Sequence, residues 1–119
     1  MTVTFYTYPK CGTCQKAKKW LDANHVSYEA IHLIENPPSK ELLQQFYTKS
    51  GLELKKFFNT SGMKYRDLGL KDKVKAMNED EMLELLASDG MLIKRPIITD
   101  GNHVTVGFNE EQFGDMWKK

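Results

Sequence analysis

The 119-residue sequence lacks the features of a membrane, secreted or nucleic-acid-binding protein. No apolar run approaches the ~18 residues of a transmembrane helix. The formal net charge is only +1 at pH 7, which gives no broad attraction to nucleic acid or to an anionic membrane. The first ten residues, MTVTFYTYPK, lack the basic start, apolar middle and cleavage site of a signal peptide. We therefore expect a cytoplasmic protein with a single domain over residues 1–119.

Cysteine is scarce, and both copies, Cys11 and Cys14, lie in the stretch YPKCGTC. In the reducing cytosol a permanent structural disulfide is disfavoured. A zinc site needs about four ligands, and His25, His32 and His103 show no paired ligand spacing, so no metal site is predicted. Two interpretations remain: a redox-active C-x-x-C pair, or inert thiols kept as small packing residues.

The hydrophobic pattern predicts a βαβ unit at the start of the chain. TVTFYTY and HVSYEAIHLI are strand-like, and the run after PKCG has helical periodicity. The late segment RPIITDGNHVTVGF predicts a β-hairpin around a D-G-N turn, and a last helix opens at Asn109 with the apolar stripe Phe113, Met116 and Trp117. This order predicts an α/β, thioredoxin-like (glutaredoxin-type) fold with a mixed four-stranded sheet.

Between the second strand and the hairpin, about residues 39–90, the sequence predicts a helical insertion. SKELLQQFYTKSG reads as a helix with Ser39 as N-cap and Gly51 as its stop. LELKKFF predicts a short helical segment, and NTSGMKYRDLG is rich in turn formers. A capping box of Asn78 and Glu81 opens another helix. We expect its buried stripe to consist of Met82, Leu85 and Leu86.

This arrangement places Cys11 between a strand end and a helix N-terminus. Unpaired backbone N–H groups, the helix dipole and neighbouring Lys10 favour a thiolate there. Cys14 follows one turn later on the apolar side of the helix, where it is suited to resolving a mixed disulfide on Cys11. We expect substrate to contact Gly12 and Thr13 at this helix start.

Arg95-Pro96 is the second candidate site. Proline at the first residue of a strand is tolerated, so the pair is explained equally well as a plain strand start, and the rarity of cis X–Pro bonds favours trans. In the functional interpretation, the Arg95 guanidinium faces Cys11, lowers its pKa and binds an anionic substrate beside Pro96.

Four segments in order, FYTYPKCGTCQKAKKWL, YRDLGL, MLIKRPII and VGFNEEQF, together resemble the ArsC family over essentially the whole chain. That family comprises glutaredoxin-linked arsenate reductases and the related Spx/MgsR transcriptional regulators. The resemblance implies a thioredoxin-like fold with a helical insertion and Cys11 as nucleophile. It also implies a cis bond before Pro96, with Arg95 pointing into the active site.

The departures from the arsenate reductases bear on function. Those enzymes carry two further oxyanion-binding arginines, at positions that fall near Asn59 and Gly107, and neither residue supplies the planar guanidinium. Cys14 is also extra to reductases that use external glutathione. A C-x-x-C pair instead resembles the Spx-type regulators, in which it is an oxidation switch and the protein binds the C-terminal domain of the RNA polymerase α subunit. Gly51 lies near a glycine of that contact, but it is equally the C-cap of its helix.

The sequence therefore predicts an ArsC-family thiol–disulfide oxidoreductase, arsenate reductase-like, with Cys11, Cys14 and Arg95 as catalytic residues. It would be a monomer without bound cofactor, and an external thiol reductant (glutathione with glutaredoxin, or thioredoxin) would recycle it. The alternative is an Spx/MgsR-like redox-sensing regulator that binds the RNA polymerase α subunit. A family member with an inactive site is a third reading.

Overall fold

The computed structural model describes residues 2–118 and contains two compact units. One unit is formed by the chain up to His32 and from Arg95 onward, and the other spans Leu33–Lys94. The organisation of the whole chain as one domain stays a prediction. No helix among residues 2–118 has the length and apolar character needed to cross a membrane.

The first unit contains the predicted mixed four-stranded sheet. Its strands are β1 (Thr2–Thr7), β2 (Ser27–His32), β3 (Ile97–Thr99) and β4 (Val104–Val106). The strand order is β2-β1-β3-β4. β1 pairs parallel with β2 and antiparallel with β3, and β3 pairs antiparallel with β4, so the predicted βαβ unit and hairpin are confirmed. Phe5 lies opposite Ala30 on one side and Ile98 on the other.

Two helices of this unit, α1 (Gly12–Ala23) and α6 (Glu110–Met116), supply core residues with β1 and β3. The core cluster consists of Val3, Phe5, Ala17, Leu21, Ile98, Phe113 and Trp117. The predicted stripe of the last helix is confirmed for Phe113 and Trp117, while Met116 is only partly buried. The buried indole N–H of Trp117 donates a hydrogen bond to Thr105 Oγ1 at 3.1 Å, which satisfies its polar end.

The second unit is the predicted helical insertion. Its helices are α2 (Lys40–Ser50), α3 (Met63–Asp67), α4 (Leu70–Lys73) and α5 (Glu79–Ser88), and its 3₁₀ turns are Leu54–Phe57, Val74–Ala76 and Gly90–Leu92. The compact unit is wider at both ends than the predicted range of about 39–90. Within it, the backbone around Phe58 forms an isolated antiparallel bridge with Ile93.

The predicted caps at the ends of α2 and at the start of α5 are confirmed. The Ser39 hydroxyl accepts a hydrogen bond from the Leu42 N–H at 3.2 Å, and Gly51 ends α2 in the left-handed conformation with φ 70°. Asn78 and Glu81 form the predicted capping box of α5. These caps depend on neighbouring residues alone, which is why the sequence reveals them.

The predicted buried stripe of α5 was right for Leu86 and wrong for Met82 and Leu85. The buried residues of α5 are Leu83 and Leu86, whereas Met82 and Leu85 are half-buried, because the helix presents a face rotated from the predicted stripe. The turn-rich segment around residue 63 contains the helix α3. Tyr65 is the buried residue of α3, and its ring centroid lies 6.0 Å from that of Phe58. The polar composition of the segment gave no sign of this packing.

Candidate functional site

Cys11 occupies the N-cap position of α1. The chain leaves β1 at Thr7, and the Cys11 N–H donates to the Tyr8 carbonyl at 3.0 Å, closing a tight turn. Cys11 has extended backbone angles (φ −95°, ψ 118°), and its Sγ accepts a hydrogen bond from the Cys14 N–H at 3.3 Å. A serine or aspartate oxygen commonly accepts this hydrogen bond, and here the Cys11 sulfur takes its place. The helix N-terminus favours the negatively charged form of that sulfur.

Cys14 lies on the buried side of the same helical turn. Its side chain is 1% exposed, on the same face as the core residues Ala17 and Leu21, whereas Cys11 is half-buried. Both thiols are free. Residues three apart in a helix share one face, at a separation that a disulfide can bridge.

Arg95 approaches this pair from the start of the hairpin. Its guanidinium forms a hydrogen bond with the Cys11 side chain, and its Cζ lies 5.0 Å from the ring centroid of Tyr8, in a cation–π contact. The Tyr8 ring in turn meets His32 edge-on, with centroids 5.6 Å apart. The site therefore contains an aromatic support for Arg95 that the sequence reasoning missed. The only signal was an aromatic residue just before the cysteine turn.

The two thiols have opposite electrostatics. Burial disfavours ionisation of Cys11, but hydrogen bonds from the Cys14 thiol and backbone N–H, with the hydrogen bond and charge of Arg95, outweigh it and lower its pKa. Burial and the hydrogen bond and charge of Cys11 raise the pKa of Cys14 to about 11, although the Tyr8 backbone and the Thr7 side chain oppose that rise. The pKa values of the two thiols are therefore shifted in opposite directions, so Cys11 ionises more readily than an ordinary cysteine and Cys14 less readily.

The remaining predicted site residues lie around this pair. Gly12 and Thr13 are exposed at the first two positions of α1, and a Cβ added to Gly12 would meet nothing within 4 Å. Pro96 is buried, follows a cis peptide bond as the resemblance implied, and accepts a hydrogen bond on its carbonyl from the Gly107 N–H at 2.8 Å. The catalytic and substrate-binding roles of Cys11, Cys14, Arg95, Pro96, Gly12 and Thr13 stay predictions.

Gly107 and Asn59, at which the resemblance led us to expect arginines, differ in their backbone surroundings. Gly107 is buried with φ 83°, a conformation that L side chains rarely adopt, so an arginine at this point of the chain would be strained. Asn59 lies in the second unit, where its backbone N–H donates to the Leu92 carbonyl at 2.8 Å.

The histidines do not assemble a metal centre in the described part of the chain. His103 Nδ1 lies 3.2 Å from the Asp100 carboxylate in the hairpin turn, and His25 adopts φ 58° after α1. Across residues 2–118, no group of three or more His, Cys, Asp or Glu side chains is placed to hold a metal ion.

Comparison with known proteins gives the family. The family model described as the ArsC family matches residues 6–116. The chain is similar to the YusI protein of Bacillus subtilis (67% identity, covering 98% of this chain and 99% of YusI). It is also similar to the regulatory protein MgsR of the same organism (30% identity, covering 98% of this chain and 91% of MgsR).

Among solved structures, the chain matches one described as a possible arsenate reductase from Streptococcus mutans UA159. That match has a TM-score of 0.84 and 52% identity, and covers 90% of this chain and 91% of the other. With a thioredoxin-like fold and a family match over nearly its whole length, the chain belongs to the ArsC family.

Proposed function

We propose that the protein is a thiol–disulfide oxidoreductase of the arsenate reductase-like type, in which Cys11 attacks and Cys14 resolves. The observation that carries this proposal is the opposite pKa shift of two thiols within one helical turn. If the two cysteines were inert packing residues, the hydrogen bond between Arg95 and the Cys11 side chain would have no explanation. The half-buried thiol is activated, and the buried thiol is kept protonated.

With a disulfide substrate, the Cys11 thiolate attacks one sulfur and expels the other as a thiolate, which takes a proton from solvent. Cys14 then loses its proton and attacks Cys11 Sγ, breaking the mixed disulfide and releasing the second substrate thiolate. Two electrons pass to the substrate and a Cys11–Cys14 disulfide forms. An external thiol reductant, glutathione with glutaredoxin or thioredoxin, returns both cysteines to thiols.

The site also contains a means of activating Cys14 at the right step. The hydrogen bond and negative charge of Cys11 are part of what raises the pKa of Cys14. When Cys11 is bonded to substrate sulfur it carries no charge, so that contribution disappears while the favourable contacts from Thr7 and Tyr8 remain. Cys14 therefore becomes easier to ionise once it is needed.

Arsenate fits the same scheme as an oxyanion substrate. Cys11 would attack As(V) and displace water, and attack of Cys14 on Cys11 Sγ would leave two electrons on arsenic as arsenite. Arg95 would bind one oxyanion oxygen. Asn59 and Gly107 offer no guanidinium where the family resemblance leads us to expect one, so we propose that arsenate is turned over less well than a disulfide.

The test is NADPH consumption with arsenate or a small disulfide, coupled through glutathione, glutaredoxin and glutathione reductase, or through thioredoxin and thioredoxin reductase. We expect Cys11→Ser to abolish turnover, and Cys14→Ser to accumulate a mixed disulfide on Cys11 detectable by mass. If wild-type protein consumes no NADPH with any donor, the enzymatic proposal is wrong.

The second candidate is a redox-sensing regulator that binds the C-terminal domain of the RNA polymerase α subunit. Its support is the 30% identity to the regulatory protein MgsR together with the C-x-x-C pair. Gly51 is exposed at the end of α2, with open space around an added Cβ, so its position is accessible as well as structural. Capture of the α-subunit domain that changes on Cys11–Cys14 oxidation, without turnover, would favour this candidate.

A further inference from the structure

The second unit contains a cavity of ≈ 390 Å³ that neither function uses. Its wall is built from the 3₁₀ turn Leu54–Phe57, the helix α3, the segment 71–75 and the strand-like backbone at residue 94. This volume falls within the range of cavities that bind small molecules.

Positive charge dominates the lining. Five lysines, Lys55, Lys56, Lys71, Lys75 and Lys94, surround the cavity, with Glu53 as the acidic lining residue. Within residues 2–118, none of these five forms an ion pair, whereas Lys18, Lys40 and Lys64 each pair with an aspartate. Since the chain has a net charge of only +1, the excess is local. Five unneutralised ammonium groups around one concavity repel each other, and a bound anion relieves that repulsion.

The floor of the cavity is apolar and aromatic. Phe58, Tyr65 and Val74 line it, and the Phe58 and Tyr65 ring planes meet at 58°. The Thr60 side chain adds a hydroxyl to the lining. A ligand that fits this floor has an apolar or ring-containing part as well as negative charge.

The backbone carrying these groups is fixed by local pairing. The Lys94 N–H donates to the Phe57 carbonyl at 2.7 Å, and the Asn59 N–H donates to the Leu92 carbonyl at 2.8 Å. These bonds hold the backbone of the 3₁₀ turn, which contains Lys55 and Lys56, beside the backbone of Lys94 before any ligand binds. A preformed site loses less conformational entropy on binding.

We propose that this cavity binds an organic polyphosphate, with two or more adjacent phosphate groups among the lysines and its organic part on the Phe58–Tyr65 floor. Lysine ammonium groups bind phosphate as point charges and need no planar match. A concave site of this volume suits a small molecule, whereas an extended acidic peptide requires a longer groove. The proposal is independent of Cys11 and of the redox chemistry.

The experiment is titration calorimetry on the full-length protein at 0.15 M salt, with ATP and inorganic pyrophosphate as probes. Lys71→Glu and Lys75→Glu each reverse the charge of one lysine that lines the cavity, the first in α4 and the second in the 3₁₀ turn that follows it. Lys73→Glu is the matched control, because this exposed lysine lies between them outside the cavity and the charge change is identical. We expect each cavity variant to weaken ATP binding about tenfold or more, and the control less than twofold.

The organic part has its own readout. ATP should bind more tightly than pyrophosphate, and replacing the floor with Tyr65→Ala should remove that difference. Circular dichroism confirms that each variant is folded. Equal weakening by the Lys73, Lys71 and Lys75 variants would reduce the effect to general electrostatics and overturn the site. Tighter binding of a 20-base-pair DNA duplex that ATP does not displace would also overturn it, in favour of a nucleic-acid surface.

Discussion

Replacing Arg95 with methionine removes the guanidinium from Cys11 while keeping an apolar side chain over the Tyr8 ring. Arg95 gives Cys11 one charge-assisted hydrogen bond and a full positive charge. Hydrogen bonds to charged groups contribute roughly 1.5–3 kcal/mol, and the half-buried position of Cys11 reduces this to about 1 kcal/mol through solvent screening. The acid dissociation constant of the Cys11 thiol should therefore fall about fivefold in Arg95→Met, and its thiolate population should fall by the same factor wherever the thiol is mostly protonated.

The assay is the rate of iodoacetamide alkylation at pH values below the Cys11 midpoint, followed on the Cys11 peptide by mass spectrometry. Arg66→Met is the matched control, because it removes the same charge from an exposed arginine whose guanidinium has its hydrogen bond with the Ser61 carbonyl. Arg95→Lys should retain part of the rate through its charge. An unchanged rate in Arg95→Met, or an equal fall in Arg66→Met, would refute the assignment of Arg95 to the thiolate.

Three further predictions concern the neighbours of this site and the core. Tyr8→Leu should slow Cys11 alkylation about twofold to fivefold, because it removes a cation–π contact with Arg95 that contributes roughly 0.5–1 kcal/mol. Tyr8→Phe keeps the ring and should keep the rate. Equal slowing in both variants would contradict the cation–π explanation. Thr105→Val should cost about 1–3 kcal/mol in urea unfolding because it leaves the buried Trp117 N–H unsatisfied, and Thr105→Ser should cost less; equal costs would exclude the hydrogen bond as the cause. Folding raises the pKa of Cys14 from its ordinary value of 9.0 to about 11, so its protonated thiol favours the folded state fully below pH 9, and that contribution is lost as the pH rises through about 11. The free energy of unfolding of wild type minus that of Cys14→Ala should therefore fall between pH 9 and 11, and a constant difference would contradict the shift.

The sequence predicted what depends on local chemistry. The change of period from the β1 segment to the run after Cys11 revealed a strand followed by a helix, and so placed the cysteine at a helix start. Caps at Ser39 and Asn78 were readable because each involves residues three or fewer apart along the chain. The family resemblance supplied the cis bond before Pro96, which base rates alone opposed.

What the sequence could not predict depends on tertiary approach. The contact between Arg95 and Tyr8 joins residues far apart in the chain, and no periodicity encodes it. The prediction of the buried face of α5 was off by one position, because the elements packed on the helix decide which face is buried. Leu83 and Leu85 are the same residue type, so the sequence does not distinguish them. The lysines of the cavity come from separate segments, each of which alone resembles an ordinary solvated face.

Two cysteines one helical turn apart have pKa values shifted in opposite directions. The most direct test is the alkylation rate of both cysteine peptides in one wild-type sample, recorded from pH 5 to pH 12. We expect the Cys11 rate to have its midpoint below the ordinary pKa of 9.0 and the Cys14 rate to rise only near 11. Coincident midpoints near 9, or a Cys14 that reacts first, would contradict it.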